Sequence, residues 1–331
     1  MSQPFGALSE AGSTRGRTLR ANMASLLQRQ GALLALVIVC AFAAIRYDAF
    51  LTERNVFNVL RQNSMYGLIA LGMTFVILTG GIDLSVGSLV ALASVVAASL
   101  TNHGMLLAVL AATAAAALLG LVNGLIIAKA RIQPFIVTLA MMMAARGLAL
   151  AATGEKSVGV KSVSAAFTWL GYGHLGPVPV PVIIFIACYV MGWFVLNYTP
   201  FGRHVYALGD NEEAARLMGL NVKRVTLGVY TISGALSGLS GAILASRLSA
   251  GQPVEGRGWE LIAIAAVVVG GTLLTGGQGG AGSTFVGVLL LGLVFNIFNL
   301  EGSITPWWQD VLRGLFLLAV VIVQNRLKAR Q

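Results

Sequence analysis

The chain has 331 residues, of which 57% are hydrophobic and only 10% charged, with a mean hydropathy of +0.83. A soluble domain carries about 25% charged residues, so lipid solvates most of this chain and little length remains for a separate soluble domain. The net charge of +10 sits in loops between apolar runs, which indicates membrane topology rather than nucleic-acid binding.

Cys40 and Cys188 each lie alone in an apolar run and read as small buried hydrophobes, while His103, His174 and His204 match no ligand spacing. The sequence therefore predicts no disulfide framework, no metal site and no bound cofactor. It holds no nucleophile–base pair, so the chain is not expected to be an enzyme.

A spanning helix needs about 20 apolar residues, and the apolar runs accommodate about ten spans of an all-α integral membrane protein. Residues 1–30 form a basic tail with Arg15, Arg17, Arg20 and Arg29. The first span covers Gly31 to Ile45 and is read as uncleaved, although Ala41-Phe42-Ala43 resembles a signal-peptidase site. A polar segment follows, and the second span runs from Gln62 to Leu78. It ends in a turn in which Gly80 and Gly81 permit a tight reversal and Asp83 caps the third span, which extends to Leu100. The fourth span covers Met105 to Ala128, with Asn123 near its end. Lys129, Arg131, Gln133 and Pro134 make a basic turn, and Pro134 opens the fifth span, which carries Phe135, Thr138 and Arg146 and ends near Thr153. Arg146 lies in the outer half of that span and is expected to snorkel.

Residues 154–178 read as an outer loop with interfacial Trp169 and Tyr172. The sixth span covers 179–197. The seventh covers 225–244, with Ser233-Gly234, Ser237-Gly238 and Ser240-Gly241 expected to pack against neighbouring helices. Residues 247–260 read as an outer loop. The eighth span, 261–274, is short and broken by glycines. Gly279 to Ser283 resembles a phosphate loop but lacks its Lys. The ninth span covers 284–300, Trp307-Trp308 belongs to an outer loop, and the tenth ends near Gln324, leaving a tail at 327–331. Thirteen of the 22 basic residues fall on one side of this layout, which puts both termini and the 199–224 loop in the cytoplasm. Thr79-Gly80-Gly81 and Thr275-Gly276-Gly277 open two similar turns, a hint that two half-bundles share an architecture.

The 199–224 loop holds the longest polar stretch between spans, Gly209 to Gly219, which reads as a complete helix over 211–218. Asp210 is its expected N-cap, with Glu213 closing a capping box. Glu212 and Glu213 meet the positive end of the dipole and Arg216 the other end. Gly219 supplies the left-handed closing residue. Such a helix is either a loop that happens to be helical or an element presented to a partner.

Four blocks carry a family resemblance. They are Gly72 to Ser88, centred on Thr79-Gly80-Gly81-Ile82-Asp83-Leu84-Ser85; Ile132 to Leu139; Phe201 to Gly219; and Ala266 to Gly277. Together, over residues 31–326, they resemble permease subunits of bacterial ABC sugar importers of the ribose, arabinose, xylose and galactofuranose class. Tyr206 to Asn211 and Trp307-Trp308 look most like the galactofuranose type. The resemblance implies one ten-helix permease domain over 31–326, similar in fold to the cobalamin importer, in the bacterial inner membrane. It implies a second permease subunit, identical or related, two ATPase domains that bind ATP and Mg, and a periplasmic sugar-binding protein. The helix at 211–218 would enter the ATPase. Gly209, Asp210, Asn211, Glu212, Glu213, Ala215, Arg216, Leu217, Met218 and Gly219 are its expected coupling residues, with Leu217 and Met218 as apolar anchors. Gly80, Gly81, Asp83, Asn123, Gln133, Phe135, Thr138 and Glu260 are the pathway and gating candidates. Asp83 also reads as a helix cap, and Asn123, Gln133 and Thr138 as helix-packing groups. Ile262 stands where the family usually has an acid, which weakens any carry-over of substrate. The alternative is an ion-coupled secondary sugar transporter, which requires ionisable groups near the bilayer midplane. The layout instead puts Asp83, Glu155, Glu255, Glu260, Glu301 and Asp310 at span ends or in loops.

Overall fold

A computed structural model describes residues 31–160 and 165–302, with single positions between 305 and 322. The tail at 1–30, most of the tenth span and the tail at 327–331 lie outside the described residues. Helices dominate: α1 (Gly31–Arg46), α2 (Glu53–Leu78), α3 (Val86–Ser99), α4 (Met105–Ala130), α5 (Pro134–Thr153), α6 (Ala165–Tyr172), α7 (Val180–Tyr198), α8 (Pro200–Asp210), α9 (Glu212–Leu217), α10 (Val222–Leu248), α11 (Trp259–Val269) and α12 (Ala281–Glu301). Among the described residues, α4, α5, α7, α10 and α12 are long and apolar enough to cross a membrane.

Local chemistry sets several boundaries. Thr52 caps α2 by accepting from the Asn55 amide, so that helix begins at Glu53, well before the expected Gln62. Its buried face starts at Asn63, which is why apolarity alone places the start too late. Pro134 opens α5 as expected, where the missing amide costs nothing. Asn221 caps α10 by accepting from the Arg224 amide at 3.1 Å.

Helix α10 is the hub of the bundle, packed against α2, α3 and one face of α4. The Ser-Gly pairs of α10 pack as the sequence implies. A β-carbon at Gly238 would come within 2.7 Å of Thr113 Cα on α4, and Ser240 Oγ donates to the Met65 carbonyl of α2 at 3.1 Å.

Two of the apolar helices are short. At 1.5 Å per residue, α3 is about 21 Å long and α11 about 16 Å, against a hydrocarbon core of about 30 Å. The 250–258 segment, expected as an outer loop, instead runs back into the bundle alongside α3. Its Gln252 amide donates to Ser94 Oγ at 3.0 Å, and Gly256 meets Gly87 so closely that a β-carbon on either would overlap the other's carbonyl oxygen. Arg146 does not snorkel. Its Nη1 donates to the carbonyls of Pro253 at 2.7 Å and Glu255 at 2.6 Å, pinning that segment. Both carbonyls lie within hydrogen-bond reach of one guanidinium nitrogen, so the charge is met inside the fold.

The polar 154–178 stretch is also more ordered than a plain outer loop. It contains α6, which buries Phe167 and Leu170, and two short antiparallel pairs: Val158–Gly159 with Ala250–Gly251, and His174–Leu175 with Val178–Pro179.

Candidate coupling site

The polar loop folds into a corner of two helices. Thr199 Oγ1 accepts from the Gly202 amide at 3.2 Å and starts α8, with Pro200 at its first position. The helix buries Val205 and Leu208. The sequence predicts no helix here; α8 runs through Asp210, because the Asn211 amide still donates to the Ala207 carbonyl at 3.2 Å. Asp210 is therefore the last residue of α8 and not the cap of the next helix.

Asn211 takes that place. Its backbone is extended (φ −160°, ψ 107°) and its Oδ1 accepts from the Ala214 amide at 2.9 Å. The capping box with Glu213 is not formed, since the cap has moved by one residue and Ala214 now occupies the third position. Helix α9 then covers Glu212–Leu217, with Glu212 and Arg216 joined at 2.7 Å one turn apart. That exposed pair contributes only about 0.3–0.5 kcal/mol. Gly219 closes the helix at φ +82°, as the sequence implies: its amide donates to Arg216 and the Leu220 amide to Ala215. Ala215 is fully buried, so it fixes the orientation of α9. The same orientation leaves Leu217 84% and Met218 70% exposed.

Beneath this corner three glycine segments meet. The Gly277 amide donates to the Leu78 carbonyl at 3.0 Å. A β-carbon on Gly209 would overlap that same carbonyl oxygen and come 2.5 Å from the Gly277 nitrogen. One on Gly276 would come 2.8 Å from the Gly80 nitrogen. The two Thr-Gly-Gly turns are thus neighbours, and α8 lies against both. Tyr206 Oη donates to the Gly279 carbonyl at 3.0 Å. Burial pushes its phenol above the ordinary range, so it stays a donor near neutral pH.

A buried polar network continues inward from the first turn. Asp83 is fully buried. Its Oδ1 accepts from the Ser85 amide at 3.0 Å and the Ser85 hydroxyl at 2.6 Å, and its Oδ2 accepts from the Ser233 hydroxyl at 2.8 Å. Asn123 Nδ2 donates to Ser85 Oγ at 3.1 Å, and Thr138 Oγ1 donates to the Ile82 carbonyl at 3.2 Å. The sequence places Asp83 as the cap of the third span, but α3 starts at Val86 and Asp83 holds the turn ahead of it. Ser233 is the twelfth of the 27 residues of α10, so Asp83 lies inside the bundle rather than at a span end.

The remaining candidates separate. Gln133 precedes α5 without a side-chain cap bond, and Phe135 is exposed on α5. Glu260 lies in the first turn of α11, at the Gly87–Gly256 crossing. Sequence reasoning missed Ser85, which joins Asn123 to Asp83, and Tyr206, which ties α8 to the Gly279 carbonyl. Among the described residues no group of His, Cys, Asp and Glu is arranged to hold a metal ion.

Residues 55–321 match the family of permease components of branched-chain amino acid transport systems. The chain belongs to this permease family. The permease is 43% identical to the ribose import permease protein RbsC of Escherichia coli (strain K12) over 304 residues, covering 91% of this chain and 94% of the relative. It is 42% identical to RbsC of Bacillus subtilis (strain 168), with 94% and 97% covered. It is 41% identical to the L-arabinose transport system permease protein AraH of E. coli (strain K12), with 87% and 86% covered. No solved structure matches it. The galactofuranose type suggested by the sequence has no counterpart among these three relatives. The permease is a multi-pass membrane protein and a transport subunit, not an enzyme.

Proposed function

We propose that this permease forms the membrane pathway of an ATP-driven importer of a monosaccharide, of the pentose class named for its ribose and arabinose relatives. The carrying observation is α9, a helix capped at both ends whose two large apolar residues face outward. Leu217 and Met218 enter a groove of an ATPase subunit, and Glu212, Glu213 and Arg216 make polar contacts around them. ATP-driven closure of two ATPase domains moves the corner as a rigid body. Gly209 passes the movement to Leu78 and Gly277, and so to α2 and the segment ahead of α12.

In this reading the 199–224 loop and both termini are cytoplasmic, in the bacterial inner membrane. ATP and Mg belong to the ATPase subunits. A second permease, identical or related, completes the pathway, and a periplasmic sugar-binding protein delivers the sugar. The domain over 31–326 has ten spans and a fold like that of the cobalamin importer. Gly80, Gly81, Asp83, Asn123 and Thr138 act at the inner turn, and Gln133, Phe135 and Glu260 are the outlying pathway candidates.

One observation favours the ion-coupled alternative: Asp83 is an ionisable group inside the bundle, contrary to the layout from sequence. Its three hydroxyl and amide donors account for both carboxyl oxygens without a coupled ion. Uptake of labelled ribose by proteoliposomes separates the two readings. The ATP-driven importer takes up sugar only with ATPase subunits and enclosed ATP at the correct face. Uptake by the permease alone, driven by a proton or sodium gradient, contradicts it.

A further inference from the structure

A cavity of about 750 Å³ lies between the α4–α5 turn and the α9–α10 corner. Its wall carries Arg131 and Lys223, with Gln133 and Asn221 between them. Glu212 and Arg216 also line it, but they neutralise each other at 2.7 Å. Arg131 and Lys223 make no ion pair among the described residues, so the cavity has an excess of two positive charges. Arg131 moreover sits at φ +55°, a backbone conformation unusual for a residue with a side chain.

The inner wall holds an unexplained donor. Tyr230 lines the cavity, is only 1% exposed, and its hydroxyl has no hydrogen-bond partner. That hydroxyl stands over Gly81, which also lines the cavity. An unpartnered buried hydroxyl costs about 1–3 kcal/mol, a cost that an acceptor inside the cavity removes. On the outer side the character changes. Ile132 lines the cavity, and Phe135 and Ile136 continue from it along α5, all three exposed. Helices α4 and α5 are the least buried of the long apolar helices among the described residues, as expected of surfaces facing lipid.

We infer that this cavity binds the phosphate-bearing headgroup of an anionic lipid, with Arg131 and Lys223 as its charge partners and the acyl chains lying along Ile132, Phe135 and Ile136. Basic pockets between membrane helices suit such headgroups, and the neighbouring apolar strip selects a lipid over a free phosphate ion. The inference rests on membership of the permease family and on the membrane location, not on the transported sugar. Since Arg216, Leu220 and Val222 share the wall, an occupied cavity braces α9 against the α4–α5 turn. Anionic lipid then supports the coupling corner directly.

The test reconstitutes the full chain in phosphatidylcholine nanodiscs containing phosphatidylglycerol and counts lipid retained after mild extraction by native mass spectrometry. It compares the unaltered chain with Arg131→Gln/Lys223→Gln. A control, Arg54→Gln/Lys156→Gln, removes two exposed cations elsewhere. The expected result is a loss of tightly held phosphatidylglycerol of about tenfold or more in the first variant, none in the control, and no displacement by inorganic phosphate. Equal retention in both variants overturns the inference. Displacement by inorganic phosphate also overturns it, in favour of a free-anion site. Displacement by added ATPase subunits overturns it too, assigning the cavity to that partner. Sugar uptake is measured separately, so failure of the lipid site leaves the importer reading standing.

Discussion

Gly209 of α8 packs against the carbonyl oxygen of Leu78, the last residue of α2, with no room for a side chain between them. The same oxygen accepts the Gly277 amide at 3.0 Å. One carbonyl therefore gathers three segments distant in sequence, and any movement of the α8–α9 corner must carry the other two with it or break this contact.

Gly209→Ala tests that contact. The added methyl forces the segments apart, at a cost of about 1–3 kcal/mol for overpacking. Uptake should fall at least about tenfold while the protein still inserts in the membrane, as judged by extraction and immunoblot. Gly219→Ala makes a useful comparison, because open space surrounds Gly219 and only its left-handed backbone is penalised; the smaller effect is expected there.

The cap of α9 makes a second test. Asn211→Ala removes the acceptor of the Ala214 amide and should destabilise the short helix by about 1 kcal/mol. Asp210→Ala, at the end of α8, should matter less. Hydrogen exchange over residues 212–218 checks this, with faster exchange expected in the Asn211 variant. A larger effect from Asp210→Ala would restore the cap assigned from sequence.

Asp83 holds its turn through hydrogen bonds. Asp83→Ala leaves the Ser85 and Ser233 hydroxyls without their acceptor inside the bundle, and melting should drop by an amount corresponding to about 2–4 kcal/mol. Asp83→Asn keeps one carbonyl oxygen for Ser85 and should be milder. The ATP-driven reading also predicts that the Asn variant retains most of its uptake. Complete loss of uptake at normal stability would instead indicate a titrating role.

Arg146 provides the fourth. It pins the inward-running 253–255 segment through two carbonyls. Arg146→Lys has one ammonium in place of a fork and should hold that segment less well; Arg146→Leu should release it. Limited proteolysis near Glu255 should accelerate in the order unaltered, Lys, Leu. Identical digestion in all three would argue against the pin.

The long helices were legible because a membrane span leaves a long apolar run. The predicted fourth span ends at Ala128 and α4 at Ala130, and the fifth begins and ends with α5 itself. The closing Gly219 was equally legible, as a local backbone requirement. Depth was not. Apolarity marks where a chain meets lipid, but it does not show that α3 and α11 are only 14 and 11 residues long or that the 250–258 segment packs back alongside α3. The partners of Asp83 and Gly209 were hidden for a related reason. Ser233 lies 150 residues from Asp83, and the absence of a side chain at Gly209 has meaning only once Leu78 is beside it. The cap moved from Asp210 to Asn211 because α8 gains one more hydrogen bond, a competition between two adjacent helices that a capping pattern does not weigh.

The most direct measurement is affinity purification of the tagged permease from membranes, comparing the unaltered chain with Leu217→Glu/Met218→Glu by mass spectrometry of the recovered proteins. Both residues are exposed, so the substitutions should change stability by no more than about 0.5 kcal/mol. The account predicts that an ATPase subunit accompanies the unaltered permease and is lost from the double variant, with ATP-dependent uptake lost in parallel. Equal recovery of the ATPase with both chains, or recovery of none with a permease that still moves sugar without ATP, would contradict it.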